Sequence, residues 1–485
     1  MPFILHLAAL NNYDFFRDEL YFIVCGRHPA FGYVDQPPLV PLLAAATQSA
    51  GESLWLLRIW PALFHCGAVL GACAIARLLG GGRGAQILAG LGVGCAPELL
   101  GVTATLNTTA LEPLAWTIVA YAVLRATVRD EPRWWIAAGI VAGATLEDKY
   151  TLAFWLAALV AGLAIAGPRA TFGRRDFWLG AAAAIALAAP SLVWQSAHQW
   201  PFLDLLRAGA SGKNVVLAPG AWLASQVFSL GPLFAPVWIA GLAQLAIEPR
   251  TRFIGVSVLL LFVTFIALHA KDYYLAGIYP LLFAAGGVAL EQVMRSAALR
   301  NAYALVAAAG TLAFAPLALP LLPESTFIAY ADTLRRNMHV SASDREHHRT
   351  AQLPQYFADM HGWRELADRV AVAERSLSPE DRANAAVFTH NYGEAAAVDV
   401  FGDHALPVIC GHNSYYLWGS HGSHSVLIVV GGTQREFARA FRDVRQVQTV
   451  RSAYAMPYEN DLPIFVARDP RLDLQAIWPR LRHYD

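Results

Sequence analysis

Ten near-continuous apolar runs follow one another between residues 54 and 322. A helical run of about twenty Ala, Leu, Val, Ile and Trp residues crosses the roughly 30 Å hydrocarbon core of a bilayer, and few other folds need so many. The runs fall at about 54–78, 85–105, 108–128, 134–148, 151–167, 177–197, 220–246, 253–269, 275–291 and 302–322, each bounded by Gly, Pro or charge. Met1–Leu10 is apolar but far below spanning length, so it reads as the end of a first span or an unusually short one. It lacks the charged flank and cleavage site of a signal peptide. The expectation is a mainly α, polytopic transmembrane bundle of about eleven spans over residues 1–323. Composition agrees, since only 15% of residues are charged, well under the roughly 25% of soluble domains. Zero net charge leaves no basic field to attract nucleic acid.

Beyond residue 323 charge and histidine return and no run is long enough to span. Residues 324–379 read as a helical connector. Ala385–Thr389, Ser425–Val430 and Pro463–Ala467 are short β-branched or aromatic runs, while Arg435–Val444 has helical spacing with Phe437 and Phe441 four apart. A small α/β domain over 380–485 is expected, outside the membrane.

Arginine sets the orientation. With the loop of residues 11–53 outside, the inner turns carry Arg77, Arg83, Arg125, Arg129, Arg133, Arg169, Arg174, Arg175, Arg250, Arg252, Arg295 and Arg300. The outer loops before residue 324 carry only Arg17, Arg27, Lys149, Arg207, Lys213 and Lys271. That asymmetry follows the positive-inside rule and makes the loop and the C-terminal domain extracytoplasmic. Of the five cysteines, Cys66, Cys73 and Cys95 lie in apolar runs as small buried hydrophobes, and Cys25 and Cys410 lack the framework of a disulfide scaffold.

The outer loop holds the densest charge near any apolar run. Phe15–Pro38 contains Arg17, Asp18, Glu19, Arg27 and Asp35. The adjacent acids Asp18 and Glu19 read either as a solvated pair or as a general base with a neighbour that tunes it or binds a metal. Partial desolvation by Phe15, Phe16, Tyr21 and Phe22 suits a base that takes a hydroxyl proton. Asp35, ahead of Gln36-Pro37-Pro38, is either part of a rigid turn or, after a fold-back, a ligand for a divalent cation shared with Asp18. Glu112 sits at the outer edge of its run, as a helix N-terminal acid or as a group facing substrate. Lys149-Tyr150 and Lys271-Asp272-Tyr273-Tyr274 occupy outer hairpin tips, as membrane-edge anchors or as phosphate sites. The chain has three lysines among 36 basic residues, so lysine at two such tips points to specific use. The histidines of His412–His424 lack zinc spacing.

Taken together, Arg17-Asp18-Glu19-Leu20-Tyr21, Gly32-Tyr33-Val34-Asp35-Gln36-Pro37-Pro38 and the Lys149-Tyr150 and Lys271-x-Tyr273-Tyr274 hairpins resemble glycosyltransferase family 39. That family is the protein O-mannosyltransferase group of the C-type (GT-C) membrane glycosyltransferases. The resemblance extends over most of residues 10–295. Tyr392-Gly393-Glu394-Ala395 and Met456-Pro457-Tyr458-Glu459-Asn460-Asp461 resemble the C-terminal region of bacterial members. It implies a GT-C-like bundle in the bacterial cytoplasmic membrane, with the active site outside. The implied donor is a sugar on a polyprenyl phosphate, entering from the membrane lipids, and the acceptor is a glycan, lipid or protein hydroxyl. Transfer would invert the anomeric centre. By the same resemblance Asp18 is the base beside Glu19. Lys271, Lys149, Tyr273 and Tyr274 are the candidates for binding donor phosphate, Glu112, Gln36 and Tyr33 for contacting substrate, and Asp35 or Glu19 for holding a divalent cation. Relatives carry a lysine where Gln36 stands, so here either the charge at the phosphate comes from elsewhere or the donor pose differs. A polyprenyl-lipid flippase and a non-catalytic envelope assembly protein are the alternatives. The one-sided clustering of charge favours surface chemistry over a midplane transport site.

Overall fold

A computed structural model describes residues 1–49, 51–209, 215–338, 351–402 and 406–484. Lys213 lies outside the described residues. The chain forms two compact units. One comprises Met1–Asn12, Trp55–Val193 and Val216–Leu321, and the other Tyr13–Leu54, Trp194–Val215 and Leu322–Asp485.

The first unit is helical, as its apolar runs require. The runs fold as Leu54–Leu78, Arg83–Cys95 with Pro97–Val102, Glu112–Val128, Trp134–Leu146, Leu152–Ala166, Arg175–Ala197, Pro219–Ser229 with Ala235–Ile247, Arg252–Ala267, Tyr279–Val293 and Ala297–Leu312. Proline sets two interruptions that the apolar pattern conceals. Pro97 lacks the N–H to carry Arg83–Cys95 onward. Gly231, at φ +89°, and Pro232 break the expected 220–246 span, whose halves meet at 92°.

Among the described residues four helical segments are long and apolar enough to cross a membrane: Leu54–Leu78, Arg175–Ala197, Asp272–Val293 and Ala297–Leu317. The bent pair makes five if it counts as one span. Length and apolarity alone therefore do not reproduce the expected count of about eleven. Trp134–Leu146 has only 13 residues, about 20 Å of helix at 1.5 Å per residue.

Close packing of this unit depends on small residues. A β-carbon at Gly286 would collide with the Val237 carbonyl oxygen, so helices Ala235–Ile247 and Tyr279–Val293 meet backbone to backbone. Arg58 is 1% exposed inside an apolar helix. It donates to the carbonyls of Leu10 and Asn12, orphan acceptors just past the end of helix Pro2–Ala9.

The second unit carries the α/β domain. Its strands are β1 (Ala385–Thr389), β2 (Val408–Cys410), β3 (Val426–Val430), β4 (Phe441–Val450) and β5 (Leu462–Pro470), in the order β2-β1-β3-β5-β4. β1 runs parallel to β2 and β3, whereas β5 is antiparallel to β3 and β4. All five residues of β3 are buried, as an unbroken Val/Leu/Ile run in mid-sheet requires. The helix expected over 435–444 stops at Ala440. From Phe441 the chain pairs with β5, and that ladder overrides the Phe437/Phe441 spacing. β2 has three residues, too few to leave a periodic signal.

Residues 13–54 belong to this same unit. Helix Arg17–Arg27 packs on helix Leu39–Gln48 and on Tyr392–Phe401, which follows β1. Glycine permits the first contact, because a β-carbon at Gly26 would sit 2.5 Å from the Pro41 carbonyl oxygen. All five cysteines are free thiols.

Candidate active site

The acid pair opens helix Arg17–Arg27, where negative charge complements the helix dipole. Its two members do different work. Glu19, fully buried, turns back so that its Oε2 accepts the Phe16 N–H at 2.9 Å. This is the N3 half of a capping box, and Phe16 has no side-chain acceptor to supply the other half. Asp18 instead keeps 31% of its side chain exposed. Its Oδ1 accepts the Tyr392 hydroxyl at 2.8 Å and lies 3.4 Å from Arg17 Nε. Among the described residues its Oδ2 has no partner.

Arg17 also reaches Asp359, which is 1% exposed, through Nη1 to Oδ2 at 3.5 Å. Burial opposes the guanidinium charge, but Asp359, Tyr392 and Asp18 outweigh it and hold Arg17 well above its ordinary pKa. Arg17 is therefore a fixed cation beside Asp18. A second layer stands behind it. Asn391 Nδ2 donates to Glu459 Oε1 at 2.9 Å, and Glu394 Oε2 accepts the His390 N–H at 2.8 Å. Glu459 and Glu394 are 4% and 3% exposed, and burial raises the pKa of both carboxyls.

The Asp35 turn docks elsewhere in the same unit. Asp35 Oδ1 accepts the Tyr21 hydroxyl at 3.1 Å, and Oδ2 lies 3.5 Å from Asn413 Nδ2. Tyr21 Oη in turn accepts the Ser414 N–H at 3.1 Å. These neighbours are hydrogen-bond donors, the partners an ionised carboxylate takes. Among the described residues no three His, Cys, Asp or Glu side chains converge as metal ligands, at Asp35 or among the histidines of 412–424.

Tyr33 and Gln36, expected to contact substrate, are 1% and 2% exposed. Tyr33 donates to the Cys25 and His28 carbonyls at 2.7 and 3.1 Å, and Gln36 Nε2 points at Cys25 Sγ at 3.9 Å. Both staple the loop to the end of helix Arg17–Arg27, Tyr33 through backbone carbonyls and Gln36 through the Cys25 sulfur.

The lysine hairpins belong to the first unit and form a second cluster. Lys149 Nζ donates to Thr109 Oγ1 at 2.6 Å and lies 3.7 Å from Glu112 Oε2. Thr151 donates to the other oxygen of Glu112, which is fully buried. The ammonium sits over the rings of Tyr274 and Tyr273, 4.5 and 5.2 Å from their centroids. Lys271, half-buried, is close enough to repel the Lys149 charge. Lys149, Lys271, Tyr273, Tyr274 and Glu112 are thus brought together, with Glu112 as the lysine's counter-ion.

Asp359 and Tyr392, which hold the acid-pair helix, carried no assigned role in the sequence. For Tyr392 a signal existed in the Tyr392-Gly393-Glu394-Ala395 resemblance. For Asp359 there was none.

Comparison with known proteins agrees with this architecture. The family described as dolichyl-phosphate-mannose-protein mannosyltransferase matches residues 35–194. The fold is similar to the crystal structure of ArnT from Cupriavidus metallidurans bound to undecaprenyl phosphate, with a TM-score of 0.62, 13% identity and 96% of each chain covered. The apo form of that protein matches with a TM-score of 0.61 at 13% identity, covering 96% of this chain and 95% of its own. The cryo-EM structure of the arabinofuranosyltransferase AftD from Mycobacteria matches with a TM-score of 0.53 at 14% identity, covering 96% of this chain and 41% of that one. No curated protein matches by sequence. The expected GT-C-like fold with a small C-terminal sheet domain is borne out, and so is the resemblance to the mannosyltransferase family.

Proposed function

We propose that this protein is an integral membrane glycosyltransferase. It moves a sugar from a polyprenyl-phosphate donor to an acceptor hydroxyl at the outer face of a bacterial cytoplasmic membrane. One observation carries the reading: Asp18 is a half-exposed carboxylate with one oxygen anchored and the other open, at the head of the helix that bears the acid pair. The family match and the ArnT fold, solved with undecaprenyl phosphate, support the donor class.

In this mechanism Asp18 Oδ2 takes the acceptor's hydroxyl proton as the oxygen attacks the sugar C1. The C1–phosphate bond breaks, its electron pair leaves on the phosphate, and the anomeric centre inverts. The polyprenyl phosphate needs no proton on departure, so stabilising its developing charge is the second requirement. By the family resemblance Lys149 and Lys271 are the candidates for that charge, and Tyr273 and Tyr274 form an aromatic wall beside Lys149. Glu112 keeps Lys149 in place.

A flippase has one observation in its favour, the helix broken by 92° at Gly231-Pro232. Purified protein in detergent separates the readings. With a radiolabelled polyprenyl-phosphate sugar, a transferase moves label to acceptor or slowly to water and gives the inverted anomer. A flippase leaves the donor intact.

A further inference from the structure

The sheet domain delivers a tyrosine hydroxyl to the proposed base. Tyr392 opens helix Tyr392–Phe401, capped by Asn391, whose side chain accepts the Glu394 N–H at 2.9 Å. Glu459 holds the Asn391 amide and Glu394 holds the His390 N–H, so three side chains fix this turn. The Tyr392 ring is clamped between Tyr21 and His412, at centroid distances of 4.7 and 4.8 Å. Arg17 lies over its face at 5.4 Å. Gly393 makes room for that arginine, since a β-carbon there would come 2.6 Å from Arg17 Cγ. Burial raises the pKa of the Tyr392 phenol, which the Arg17 charge only partly offsets. The hydroxyl therefore stays protonated and can only donate to Asp18 Oδ1.

We propose that Tyr392 is a positioning residue for transfer: its hydroxyl pins Asp18 Oδ1 and leaves Oδ2 aimed at the acceptor. The inference rests on Asp18 being the base. It gives the C-terminal domain a share in the chemistry beyond binding acceptor or capping the site. A carboxylate held by one oxygen has its rotamer fixed before substrate arrives, and a general base depends on that alignment.

Tyr392→Phe removes one oxygen and keeps the clamped ring. In the full-length purified enzyme it should lower kcat about tenfold or more while leaving the donor KM within about twofold, the signature of an interaction that matters in the transition state. The thermal midpoint should stay close to wild type. Gly393→Ala disturbs Arg17 and the same turn from the other side and should show the same kcat-only loss. Normal kcat in Tyr392→Phe, or a raised KM at normal kcat, overturns the proposal. Asp18→Asn measured alongside separates the two levels. Full turnover in Asp18→Asn refutes the base itself, whereas a dead Asp18→Asn beside a normal Tyr392→Phe refutes only the positioning role.

Discussion

Replacing Glu394 by glutamine tests whether the buried acids behind the Asp18 helix are as tightly enclosed as described. Burial, only partly offset by hydrogen bonds from the His390 and Asn391 backbone, pushes the Glu394 carboxyl from about 4.5 up to about 7. Glu459 is raised by burial and then by the charges of Glu394 and Asp359. A carboxyl with a higher pKa folded than unfolded binds its proton more tightly in the native state. Its contribution is complete below pH 4.5 and is lost as pH rises through 7. The difference between those two values corresponds to about 3 kcal/mol. Glutamine stays neutral at every pH and still offers an oxygen to the His390 N–H. Thermal unfolding of the full chain in detergent between pH 5 and 8 should show wild type losing stability relative to Glu394→Gln as pH rises. The gap at pH 8 should approach about 3 kcal/mol, or several degrees. Curves that stay parallel across that range would refute the argument from burial.

Two further outcomes follow from the lysine cluster and from the orientation. Lys149→Met should cut donor turnover by about 10²–10³, as loss of a charged transition-state contact does. It should also destabilise the chain by about 3 kcal/mol, because Glu112 is left buried without its cation. Adding Glu112→Gln should restore stability but not turnover, and recovery of both would remove Lys149 from the chemistry. Single cysteines at Ser325 and Gly173, both exposed positions, report topology. An impermeant thiol reagent on intact cells should label the first and spare the second, and reversed labelling would put the site on the wrong side.

The bundle was legible because near-continuous apolarity leaves a stretch few choices besides a helix. What apolarity hides is where a helix breaks. Gly231-Pro232 and Pro97 lie inside apolar runs, and a missing N–H matters there more than hydropathy. β1, β3 and β5 were visible as β-branched runs, whereas β4 was masked by helical spacing that strand pairing overrode. In the site, Asp18-Glu19 stood out as charge beside a membrane. That Glu19 is a cap follows from its N3 position, a signal the Phe16 N-cap obscures because phenylalanine offers no reciprocal acceptor. Lys149, Tyr273 and Tyr274 were recognised as hairpin tips and do meet. Asp359 and Tyr392 reach the acid-pair helix from more than 300 residues away. No local pattern encodes a contact of that range; it arises only when the sheet domain and the loop fold as one unit.

Turnover of a labelled polyprenyl-phosphate sugar by wild type and Asp18→Asn, side by side, bears most directly on the central claim. Asparagine keeps the size of the side chain and an oxygen for the Tyr392 hydroxyl but cannot take a proton at the open position. The account predicts a fall in kcat of about 10²–10⁴ with the donor KM retained. Full turnover by Asp18→Asn would contradict it.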